Sequence, residues 1–119
     1  MPTREQITAV VESYLEALGG HDVDALVALF APDGVKHEPL GIASHRGHAE
    51  LRAFDEQAAT VDFSVSRCSP LTISGRYAGM QVRVDAAGME PFVATDLFEF
   101  DDDGKIVSLQ VVIDIEARP

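Results

Sequence analysis

Three side chains in this sequence have the types and settings for proton chemistry. The first is Asp96, in the segment PFVATDLFEF at 91–100. A strand's two-residue period places Phe92, Ala94, Phe98 and Phe100 on the same face as Asp96, so the acid sits among aromatic rings. The opposite face, Val93, Thr95, Leu97 and Glu99, is more mixed and would hold a carboxylate at lower cost. An ionised carboxylate buried without a partner is costly enough that the group usually takes up a proton instead. Asp96 is therefore a candidate proton donor, with pairing to an arginine as the plainer alternative. Tyr14 is the second residue, on the apolar stripe of an N-terminal helix, where a buried hydroxyl normally finds a partner. Glu38 is the third, in VKHEPL, with Val35 and Leu40 around it. Singly, Tyr14 could be core and Glu38 a solvated loop acid; it is their joint occurrence with Asp96 that points to a site.

The elements that must position them follow from periodicity. Ile7, Val10, Val11, Tyr14, Leu15 and Leu18 recur at helical spacing and predict a helix over 3–18, with Thr3 and Gln6 as a capping box and Gly19–Gly20 as its end. Asp22 caps a second helix whose stripe is Val23, Leu26, Val27 and Phe30, and APDG at 31–34 reads as a turn. Pro39 biases Glu38 away from helical geometry, toward a strand end or loop. A third helix over 47–59 carries Leu51 and Phe54 inward. Strands are expected at 61–67, 71–76, 78–85, 91–100 and 105–115, with AAG near 88 and DDDGK at 101–105 as hairpin signals. Helices followed by a meandering sheet define an α+β domain, its sheet curled around the helices to leave an apolar pocket between them.

Composition narrows the function further. The 119 residues fit one domain, 1–119, and 46% hydrophobic content can fill a core. A net charge of −11 leaves no basic stripe for nucleic acid. The start MPTREQITAV lacks a long apolar run behind basic residues, so neither a signal peptide nor a membrane span is expected, and the cytoplasm is the default location. Cys68 stands alone and reads as a small, partly buried residue. Among the histidines 21, 37, 45 and 48, His45 and His48 flank Arg-Gly in a loop with no completing ligands, and His37 is expected to face away from Glu38. Asp101–Asp103 lacks the spacing of a calcium loop.

The runs TAVVESYLEAL, HDVDALVALFAPDG, VKHEPLG and ATDLFEFDDDGKIVSL together resemble the ketosteroid isomerases of the NTF2-like (SnoaL-like) superfamily. The resemblance spans roughly 3–115 and is strongest over 8–41 and 92–109. It implies a cone of three N-terminal helices on a curved, mostly antiparallel sheet, no cofactor, a small hydrophobic substrate such as a steroid or similar enone, and a homodimer. It also implies roles: Glu38 as general base, Tyr14 and a protonated Asp96 as hydrogen-bond donors to an enolate oxygen. A carboxylic acid kept neutral to donate is a worked example for this enzyme family. Two departures stand out. The base in the family is usually Asp, one methylene shorter than Glu38, and Asp55 occupies the place where some relatives carry a further tyrosine. A non-catalytic binder of a carbonyl or phenolic ligand, a SnoaL-like polyketide cyclase and an epoxide hydrolase using Arg46 are the alternatives on the same scaffold.

Overall fold

A computed structural model describes all 119 residues. The element order is α1 (Arg4–Gly19), α2 (Val23–Ala28), β1 (Phe30–His37), β2 (Ser44–Arg46), α3 (Gly47–Ala58), β3 (Phe63–Arg67), β4 (Thr72–Ser74), β5 (Tyr77–Ala86), β6 (Phe92–Phe100) and β7 (Ile106–Asp114). This is the expected α+β fold, a curved mixed sheet with the helices on one side. Both N-caps form as the sequence implies. Thr3 and Gln6 exchange backbone bonds in a full capping box, and the Asp22 carboxylate accepts from the Ala25 N–H. The first helix does end at the glycine pair, but Gly20 keeps right-handed geometry and His21 takes the left-handed conformation, at φ 55°.

Seven strands form one sheet in the order β2-β1-β7-β6-β5-β3, with β4 added on β5. Every pairing is antiparallel except β1 with β7. That parallel pair corrects the expected turn at APDG. Phe30 leaves the second helix to open β1, and residues 31–34 lie within the strand as a bulge: Phe30 opposes Ile106 while Val35 opposes Ser108. Gly34 makes the bulge possible, because a Cβ there would stand 2.8 Å from the Ile106 carbonyl oxygen. The short β2 falls in the Gly/Ser/His stretch that carries no strand pattern, and it exists because its backbone pairs with β1.

A second bulge, between Glu99 and Phe100, resets the alternation of β7. Ile106, Leu109 and Val111 turn inward, whereas Val107 leaves the apolar face on which strict alternation places it. The core lies between sheet and helices, around Ile7, Tyr14, Phe30, Leu51, Phe98 and Phe100. Met80, Asp96 and Val111 oppose one another on the three central strands, so Asp96 projects from mid-sheet toward the helices. No helix is long and apolar enough to cross a membrane.

Candidate active site

The curl of the sheet under α1 and α3 leaves a cavity of about 290 Å³. Fifteen of its nineteen lining residues are hydrophobic, Tyr14 among them, and the other four are all ionisable: Lys36, Glu38, Asp55 and Asp96. An apolar pocket with a few convergent polar groups is the usual form of a small-molecule site. Tyr14, Glu38 and Asp96, far apart in the chain, thus meet in one place.

Each is delivered by a different element. Tyr14 sits on the inner stripe of α1 at 1% exposure, its ring edge-on to Phe98 with centroids 5.4 Å apart. Asp96 is 3% exposed on β6, flanked on its own face by Ala94 and Phe98. Glu38 follows the last residue of β1, half-buried, before a cis bond to Pro39. The Glu38 N–H donates to the Ala43 carbonyl at 3.0 Å, and Leu40 N–H donates to the Val111 carbonyl at 2.9 Å, which tie the turn that carries Glu38 to β7 and to the chain entering β2. His37 turns the other way, as alternation requires, and hydrogen-bonds Ser44 at 2.7 Å.

Burial and charge act together on these groups. Burial, with the Glu38 charge adding to it and Lys36 opposing it, pushes the Asp96 carboxyl from its ordinary 3.8 up to about 7. No arginine is its partner, so the plainer reading of Asp96 fails: Arg83 pairs with Asp85, Arg76 with Asp102, Arg52 with Asp24 and Arg118 with Glu90. The Glu38 carboxyl is also raised, chiefly by burial; Lys36 pulls it down, Asp55 pushes it up and His45 pulls it down. Tyr14 is held well above its ordinary 10.0 by burial, then by the charges of Glu38, Asp96 and Asp55, so it keeps its proton.

Lys36 is the charged cavity residue that sequence reasoning passed over. Its ammonium is 1% exposed, donates to Asp55 Oδ1 at 2.9 Å, and stands 5.5 Å from the Tyr14 ring centroid, 5.6 Å from that of Phe30 and 5.5 Å from that of Phe54. A cation against ring faces at such distances is attracted by their quadrupoles. The sequence carries only part of the signal: Lys36 is two before Glu38, on the same side of the chain that leaves β1, and Asp55 is four after Leu51 on one helix face, but nothing in it pairs the two. Arg46, considered for a hydrolase, does not line the cavity and donates instead to the Asp33 carbonyl. His48 meets the Phe30 carbonyl at 2.9 Å, and His45 stacks on Phe54 at 4.2 Å. Cys68 is exposed, not partly buried, because it follows the end of edge strand β3.

Fold and cavity together define an α+β domain curled around an apolar cavity, and the chain belongs to the SnoaL-like domain family, whose model matches residues 11–109. A steroid Delta-isomerase from Nocardioides simplex is 31% identical over 107 residues, covering 88% of this chain and 87% of that protein. Two solved structures share the fold. One is SalBIII, an epoxide hydrolase/cyclase-like enzyme with a role in pyran ring formation in the polyether salinomycin; its TM-score is 0.86 at 20% identity, over 96% of this chain and 95% of that one. The other is an LEH-like epoxide hydrolase of M. tuberculosis, with a TM-score of 0.80 at 23% identity, over 96% and 86%. The family thus includes enzymes.

Proposed function

We propose that the protein is a cofactor-independent isomerase that moves a carbon–carbon double bond into conjugation with a ketone, on a steroid or an enone of similar shape. Glu38, ionised, removes a proton from the carbon between the carbonyl and the double bond. The electron pair left behind delocalises onto the carbonyl oxygen, giving a dienolate. Tyr14 and neutral Asp96 donate hydrogen bonds to that oxygen, whose charge is weak in the substrate and strong in the transition state. Glu38 then returns the proton to the far carbon of the conjugated system, and atoms and charge balance with no other reagent.

The observation that carries this reading is the meeting of two buried acids, Glu38 and Asp96, in one apolar cavity with Tyr14. Burial raises both carboxyls and Lys36 opposes it at both; the Glu38 charge adds to burial at Asp96, the deeper of the two, which holds its proton up to about 7. Two interacting carboxyl groups in one apolar site do not ionise together readily, so one can hold a proton while the other acts as base. The apolar lining suits a steroid skeleton and excludes water from the dienolate. Exposed Leu97 and Val112 on the outer sheet face support a homodimer.

Ultraviolet detection of the conjugated enone formed from 5-androstene-3,17-dione tests the reaction. Wild type should turn over, and Glu38→Gln should lose about 10⁴-fold in kcat, the upper end of what a positioned base supplies, while affinity for a steroid-like phenol persists. An inert wild type that still binds the phenol would favour the non-catalytic binder instead.

A further inference from the structure

The cavity wall holds a charge pair that neither proton abstraction nor enolate binding requires. Lys36 and Asp55 are 1% and 3% exposed, and their single contact is Nζ to Oδ1 at 2.9 Å. The second Asp55 oxygen is buried with no hydrogen-bond partner. A buried pair satisfied on one side only is poor at stabilising a fold; apolar side chains of similar volume usually do as well or better. Yet both residues line the same cavity as Glu38. Strand alternation puts Lys36 on the face of β1 that leads to Glu38, and three rings enclose the ammonium.

We infer that Lys36 and Asp55 form a positioning pair that sets the basicity of Glu38. Lys36 supplies the positive charge that keeps the base ionised inside an apolar cavity, and Asp55 anchors that charge on α3 so that it does not close onto Glu38 as a direct ion pair. A base locked to an ammonium would be a poor proton acceptor, and a base with no cation nearby would stay protonated. The charged and titratable groups facing Glu38 are Tyr14 from α1, Lys36 from β1, His45 from β2, Asp55 from α3 and Asp96 from β6. Of these, Lys36 and His45 favour the ionised form, Lys36 more strongly, and Asp55 opposes it. The inference rests on the proposed function only in calling Glu38 the base.

Carbon-13 carboxyl NMR of the whole protein, with the Glu38 resonance identified by its loss in E38Q, reads the titration directly and needs no turnover. The midpoint should move to higher pH in Lys36→Met and to lower pH in Asp55→Asn, with the double variant between them. A merely structural pair would not move Glu38 in opposite directions. If Lys36→Met does not fold, the double variant, which leaves no lone buried charge, must still titrate at higher pH than Asp55→Asn. Movement of both single variants in one direction, or of neither, would overturn the inference. Failure of the steroid assay alone would count against the proposed function and leave this titration standing.

Discussion

Two aspartates, Asp55 on α3 and Asp96 on β6, are each 3% exposed on the wall of one cavity, and the fold treats them in opposite ways. Asp55 has a cation 2.9 Å away. Asp96 has only apolar neighbours on its strand face and a second acid, Glu38, close enough to raise it further. The same side chain at the same depth is thus paired with a lysine in one place and left among apolar groups, its carboxyl raised to about 7, in the other. Burial favours the neutral form of a carboxyl, and the charges nearest to it add to that effect or oppose it. The contrast also separates costs, since a paired buried acid is lost when its partner is removed, whereas an unpaired one is relieved when its own charge is removed.

The largest expected effect comes from breaking the paired acid. Lys36→Met leaves Asp55 with no counter-ion and should lower unfolding stability by about 3–5 kcal/mol in denaturant titrations at pH 7. Substituting Asp55→Leu in that background should recover much of the loss, because an apolar pair fits an apolar wall. The opposite sign is expected at the other acid. The Asp96 carboxyl at about 7 lies above its ordinary 3.8, so the folded protein holds a proton that the unfolded chain releases. That contribution is complete below pH 3.8 and is lost as pH rises through about 7. Asp96→Asn, which has no proton to lose, should therefore be more stable than wild type at pH 8 and show little advantage at pH 4. The full shift corresponds to on the order of 4 kcal/mol, and solvent reaching the cavity should reduce the gain to about 2 kcal/mol. Equal urea midpoints at the two pH values would contradict an unpaired, proton-holding Asp96.

The same comparison shows what could be read from the chain. Asp96 was legible because a two-residue period makes an acid between Phe98 and Ala94 an anomaly that alternation exposes. Tyr14 was legible on the helical stripe, and Pro39 marked the strand end that presents Glu38. The Lys36–Asp55 pair was not, because each residue in isolation is an ordinary charged residue on an amphipathic element, and the pairing joins β1 to α3 through tertiary contact. The bulges were hidden for a related reason. APDG has turn chemistry, yet the β1–β7 pairs on either side hold that segment in the sheet, and Gly34 lets it approach the Ile106 carbonyl. β2 lacks a pattern of its own and is strand only because β1 lies beside it.

The pH dependence of kcat/KM for the β,γ-unsaturated ketone, in wild type and Asp96→Asn, bears most directly on the site. The proposed mechanism requires Glu38 ionised and Asp96 protonated together. Wild type should rise as Glu38 ionises and fall again as pH passes about 7, where Asp96 gives up its proton. Asp96→Asn keeps an amide donor that does not titrate, so its alkaline limb should be gone. A wild-type limb near 7 that persists unchanged in Asp96→Asn would contradict the assignment of Asp96 as the neutral donor.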